Sequence, residues 1–187
     1  MKFAVTIART YGSGGKEIGK EIAKNLGIDY YNHRSLSDEH TNDYVDDEAI
    51  SYSLVIKDGE VDFEAEDKVF KAQSEAIRRI AAEKSCLILG RCADYVLEDY
   101  DNVIKIFITA SPRDCMRRVM RLYELNPEDA KSLIHTMNKS RSEYYSYHTG
   151  RFRDNATNYD LSINVSGFEI EESAKIITEF IKRKLGI

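Results

Sequence analysis

Hydrophobic positions along this chain switch repeatedly between two periods. Residues 2–8 form a mostly apolar, β-branched run that predicts a strand. Between Gly15 and Leu26, the residues Ile18, Ile22, Ala23 and Leu26 fall on one helical face, and Gly27 stands where a helix is stopped. Residues 28–31 predict a second short strand. Over 67–84 a further helical face is carried by Val69, Phe70, Ala76, Ile77, Ile80 and Ala81. Residues 86–89 and 103–108 are short apolar runs that predict buried strands, and 161–165 predict a last one. Ile170, Ala174, Ile177, Ile181 and Leu185 stripe a terminal helix.

Punctuation residues sharpen this pattern. Ser111-Pro112-Arg113-Asp114 combines a capping serine, a proline in the first turn and a carboxylate at the third position, so it predicts a helix start. Asn126-Pro127-Glu128-Asp129 repeats the logic, which gives two helices separated by a short joint. Asp58-Gly59 lies between apolar residues and predicts a hairpin inside an otherwise acidic, polar stretch. Short apolar strands alternating with amphipathic helices belong to an α/β fold, with a parallel sheet and helices on both faces. No repeat, low-complexity tract or linker divides residues 1–187, so a single domain is expected.

Composition narrows the partners. A chain of 187 residues that is 42% hydrophobic and 32% charged reads as globular. Its net charge of -5, with Lys and Arg spread among acidic residues, argues against a general binder of nucleic acid or anionic membrane, but a local basic pocket for a small anion remains open. The first eight residues are too short and too polar for a leader, and no run approaches the ~20 apolar residues of a membrane span. Three cysteines without a CxxC pair predict neither a disulfide framework nor a zinc site, and they fit a reduced, cytoplasmic setting. The four histidines show no ligand spacing, so no protein-held metal is expected.

The chemistry concentrates in Tyr11-Gly12-Ser13-Gly14-Gly15-Lys16-Glu17-Ile18-Gly19, which a strand enters and an amphipathic helix leaves. Glycines let the backbone curl so that several N–H groups face a phosphate. The helix N-terminus adds partial positive charge, and a lysine there reaches outer phosphates. Gly15-Lys16 matches the GK of a phosphate loop. Thr10 stands where that pattern has its first glycine, and Glu17 stands where it has a magnesium-binding Ser or Thr.

VTIARTYGSGGKEIGKEIAKNLGIDYYN resembles the start of the cytidylate-kinase-like family, a branch of the P-loop nucleoside-monophosphate kinases. CLILGRCADYVL, IKIFITASPRDCMRRVMRLYEL, NKSRSEYYSYHTG and NYDLSINVS resemble later segments of that family, in its order. The resemblance implies a three-layer P-loop fold with a five-stranded parallel sheet flanked by helices. It implies a monophosphate-binding insert at about 32–66 and an arginine-bearing helical lid at about 113–154. It implies transfer of the γ-phosphate of ATP, with Mg2+, to a nucleoside monophosphate, CMP or dCMP foremost.

Arginine forks suit the clamping of two phosphate-bearing substrates that repel each other. ATP would be held by Gly12, Ser13, Gly14, Gly15, Lys16 and Glu17, with Lys16 on the β- and γ-phosphates. Arg91, after the third strand of the sheet, would hold the acceptor phosphate, with Arg34 and Asp94 as further acceptor contacts. Arg117 and Arg121 share a helical face, and with Lys16 and Arg141 they form the expected catalytic set, while Arg118 lies on the same helix. Arg9 reads as structural. Of Tyr144, Tyr145 and Tyr147, at least one is expected in the core. Two further departures from the family stand out: Leu89 replaces an Asp before the Gly-Arg pair, and Asn138 replaces an Asp opening the lid's second basic motif. With Glu17, they leave open a nucleotide-binding regulatory protein with little transfer activity, or a kinase for another small acceptor.

Overall fold

The computed structural model describes residues 1–36 and 54–187, with the side chain of Arg34 outside the described set. Its sheet runs β2 (Asp29–Tyr31), β5 (Cys86–Leu89), β1 (Ala4–Arg9), β6 (Val103–Thr109), β7 (Leu161–Asn164), with every neighbouring pair parallel. Strand β1 is central and all six of its residues are buried, because it has a strand on each edge and helices on both faces. Alternation sorts its side chains. Val5 and Ile7 join a core completed by Ile18 and Ile22 of α1 (Gly15–Leu26) and by Ala174, Ile177 and Ile181 of α7 (Ile170–Leu185). Ala4, with Cys86 and Ile88, faces the opposite core, filled by Ile77 of α3 (Phe63–Glu83) and by Ala93 and Val96 of α4 (Ala93–Val96). These are the three layers that the α/β alternation predicts.

Local signals explain the element ends. Gly27, in the left-handed region at φ 63°, closes α1. Ser111 accepts a hydrogen bond from the Asp114 N–H at the start of α5 (Pro112–Tyr123), and Asn126 does the same for Asp129 at the start of α6 (Pro127–Thr149). The hairpin expected at Asp58-Gly59 is present as β3 (Ile56–Lys57) paired antiparallel with β4 (Glu60–Val61). Helix α3 starts earlier than its apolar stripe, because Asp62 caps it by accepting from the Ala65 N–H. A short helix α2 (His33–Leu36) follows β2. Residues 37–53 of the insert expected at 32–66 lie outside the described residues.

The three cysteines are free and buried. Among the described residues, no helix is long and apolar enough to cross a membrane. Removing one cap gives a direct check on the local reading: Ser111→Ala should cost ~1 kcal/mol in urea-induced unfolding, with an unchanged denaturant slope.

Candidate active site

The loop after β1 is held in shape by close packing. Thr10 makes the last sheet bond of the strand, its N–H donating to the Ile108 carbonyl at 3.0 Å. The chain then turns through Gly12 and Gly14, both in the left-handed region at φ 81° and 82°. A Cβ on Gly12 would sit 3.0 Å from Cys115 and Val119 of α5, and one on Gly15 would sit 2.8 Å from the Cβ of Arg9. Ser13 is buried under the loop and its hydroxyl donates to the Thr10 carbonyl at 2.8 Å. The first-turn N–H groups of α1, at Gly15, Lys16 and Glu17, have no carbonyl within their helix to accept them. Lys16 is half-buried and Glu17 is exposed.

Helices α5 and α6 grip this loop from above. The Asn138 side-chain oxygen accepts from the Tyr11 N–H at 2.9 Å. Arg118 donates to the Gly12 carbonyl at 2.8 Å. Arg141 and Arg153 both donate to the carbonyl of Arg9, at 3.2 and 2.6 Å. Between loop and helices lies an open cleft of about 470 Å³, lined among others by Arg9, Gly14, Lys16, Arg118, Tyr123 and Arg141.

A second, narrower pocket lies past the end of β5. Gly90, Arg91 and Cys92 all have φ between 54° and 73°. Three successive left-handed residues, two of them not glycine, form a strained turn of the kind that recurs at functional sites. The turn buries Arg91, sets its guanidinium 5.3 Å from the Tyr144 ring centre and brings it against the His33 ring. Asp94 is buried in the same pocket and accepts from the Tyr145 hydroxyl at 2.7 Å. Burial pushes the Asp94 carboxyl above its usual range, and the Tyr145 hydrogen bond pulls it part of the way back. Burial also lifts the Cys92 thiol well above its ordinary value, so it is a packed, unreactive group. Arg9 and Arg141 line both this pocket and the loop cleft.

The profile of the Cytidylate kinase-like family matches residues 4–167. The chain belongs to that family. No curated protein matches the chain. Among solved structures, it is similar to an uncharacterized protein from Eubacterium ventriosum, at 23% identity and a TM-score of 0.78 over 97% of this chain and 99% of that one. It is also similar to a shikimate kinase from Bacteroides thetaiotaomicron, at 14% identity and a TM-score of 0.59, covering 96% of this chain and 98% of that one. A gluconokinase from Sinorhizobium meliloti gives 14% identity and a TM-score of 0.58, covering 98% and 95%. At these identities the neighbours show the fold, which is that of P-loop kinases. Membership of the cytidylate kinase-like family supports nucleotide-dependent phosphoryl transfer as the general chemistry.

Within that frame the expected residues separate. Gly12, Gly14, Gly15, Lys16, Glu17 and Arg141 line the loop cleft, while Ser13 supports it from below. Arg91 and Asp94 come together in the second pocket. Arg34 falls on α2, with its side chain outside the described residues. Arg117 and Arg121 do share a face, but it is turned away from the cleft. The buried side of α5 is set by Cys115 and Val119, which puts Arg117 on the opposite side, paired with Asp114 at 2.7 Å, and leaves Arg121 exposed. Arg118, beside the buried stripe, is the α5 arginine that lines the cleft. Arg9, read as structural, and Arg153, passed over in the sequence, are both site residues by position. The one local hint was an arginine directly before the glycine loop.

The Asp94 environment predicts a pH effect with a definite sign. Its folded value is raised above 3.8, so the native state holds that proton more tightly than the unfolded chain, and its contribution to stability falls as pH rises through the window above 3.8. In urea unfolding from pH 4 to 7, Asp94→Asn should therefore gain stability relative to the parent as pH rises, and a difference independent of pH would refute the assignment.

Proposed function

We propose that this protein transfers the γ-phosphate of ATP to a nucleoside monophosphate, with CMP or dCMP the first candidates. The observation that carries the reading is the shared wall. Arg9 and Arg141 line the cleft at the phosphate loop and also the pocket containing Arg91 and Asp94. A phosphoryl group passing from one pocket to the other would travel along two buried guanidinium groups. In a site shielded from water such charges act more strongly on a developing phosphoryl charge than they would in solvent.

Lys16 and the first-turn N–H groups of α1 hold the donor β- and γ-phosphates. Arg118 and Arg141 neutralise the transferring group, and Arg91 holds the acceptor phosphate through its fork. The Asp94 carboxyl meets the acceptor's sugar or base, with Tyr145 fixing its orientation. In this reading 32–66 is the acceptor-binding insert of the family and 113–154 its lid region, whose part is to exclude water. Mg2+ takes oxygen ligands and keeps several waters. Among the described residues, no group of three His, Cys, Asp or Glu side chains gathers into a metal site. Exposed Glu17 at the rim therefore fits an ion that arrives on the nucleotide's phosphates and is steadied through water. Arg117 and Arg121 have no part in the central step in this reading.

Glu17 also favours the second reading, a nucleotide-binding protein with little transfer. An exposed carboxylate stands where a hydroxyl would meet the ion, and it repels phosphate. A coupled ADP-release assay with Mg-ATP and a panel of nucleoside monophosphates, deoxy forms included, separates the two. CMP- or dCMP-dependent release supports the kinase. ATP binding without acceptor-dependent release supports the second reading.

Two substitutions test the roles. Lys16→Ala should lower kcat/KM for ATP on the order of a hundredfold, about 2.7 kcal/mol of transition-state stabilisation, while thermal unfolding stays near that of the parent. Arg91→Ala should raise the acceptor KM far more than the ATP KM, and equal losses for both substrates would count against its place.

A further inference from the structure

Glu66 and His148 form a buried polar pair that neither pocket uses. Both side chains are 2% exposed and the His148 Nε2 lies 2.8 Å from the Glu66 carboxylate. The second Glu66 oxygen accepts from the Val55 N–H at 2.8 Å. Neither residue is among those lining the two pockets. Removing a carboxylate from water is costly, and an apolar pair of equal size commonly packs as stably. Stability alone therefore does not account for this pair.

The surroundings of the pair lead to the acceptor arginine. The His148 ring stacks on Phe70, with centres 3.8 Å apart, and meets the Tyr144 ring edge-on at 4.5 Å. Tyr144 is also tied to α3, its hydroxyl donating to the Gln73 side-chain oxygen at 3.3 Å. The Arg91 guanidinium lies over that same Tyr144 ring. One turn on, the Tyr147 hydroxyl donates to Asp67 at 3.1 Å. The contacts from α6 at 144, 147 and 148 thus fasten it to α3 at 73, 67 and 66.

We propose that Glu66 and His148 are positioning residues for Arg91, fixing the Tyr144 ring on which its guanidinium rests and so aligning the acceptor phosphate. Burial lowers the His148 pKa despite its bond to Glu66, so near neutral pH the ring is uncharged and donates its Nε2 proton to the carboxylate. A neutral donor holds the carboxylate without placing a second cation beside Arg91. The inference rests on the acceptor role proposed for Arg91, but its geometry is independent of transfer.

The test is the arginine side-chain Nε–H spectrum of the full-length protein, with Arg91 and Arg118 assigned through Arg91→Lys and Arg118→Lys. The Arg91 Nε is buried, which slows its exchange with water. His148→Phe and Glu66→Gln should shift or broaden the Arg91 signal and leave that of Arg118 in place. The KM for CMP should rise on the order of tenfold with the ATP KM unchanged. Glu66→Gln, which keeps the size of the side chain, carries the test if the phenylalanine variant folds poorly. An unmoved Arg91 signal in a folded variant overturns the proposal. So does a loss shared equally by Arg91 and Arg118, which would mark the pair as merely structural. If the parent turns over none of the nucleoside monophosphates, the kinase reading falls, and the Arg91 spectrum still decides this inference.

Discussion

The carbonyl oxygen of Arg9, at the end of the central strand, accepts hydrogen bonds from two buried guanidinium groups, those of Arg141 and Arg153. They reach it from 132 and 144 residues away in sequence, and between them they fix where the phosphate loop leaves the sheet. Any shift of that carbonyl moves Thr10, Gly12 and the first turn of α1 with it. The side chain of Arg9 is held as tightly, because Gly15 packs so closely on it that a methyl group would not fit. Strand end, loop and helix start are therefore packed as one unit, and Arg141 and Arg153 are part of it.

Burying four arginines, at 2–8% exposure, is expensive unless their charge is met. Aromatic faces meet part of it. Arg141 lies 5.2 Å from the Tyr11 ring centre, Arg91 5.3 Å from Tyr144 and Arg153 5.8 Å from Phe107. These ring contacts stabilise the buried cations. Four arginines thus line the walls of the two pockets or the loop between them in a chain whose net charge is negative. Helix α6 links the parts: Asn138 and Arg141 hold the phosphate loop, while Tyr144 and His148 hold α3 and the bed of Arg91.

The strands, the caps at Ser111 and Asn126 and the glycine loop were legible because each is written in residues close together in sequence. The same holds for Arg91 and Asp94, which follow a recognisable strand by a few positions. What could not be read there depends on rotation and on distant partners. The spacing of Arg117 and Arg121 shows that they share a face, but which face turns inward is decided by the packing of Cys115 and Val119 against the loop glycines. Arg153 owes its position to a carbonyl far away in sequence. Asn138, which departs from the family's Asp, has a local purpose that no pattern shows: its oxygen takes the Tyr11 N–H. Glu66 and His148 lie 82 residues apart, and nothing in the sequence pairs them.

The account stands or falls on the two pockets forming one line of transfer through Arg9 and Arg141. Calorimetric binding of a bisubstrate ligand, adenosine joined to cytidine through a polyphosphate bridge, measures this most directly. The shared wall predicts a dissociation constant far below those of ATP and CMP measured separately, with the gain lost in Arg141→Ala. Binding no tighter than ATP alone would show that the pockets do not act together and would contradict the account.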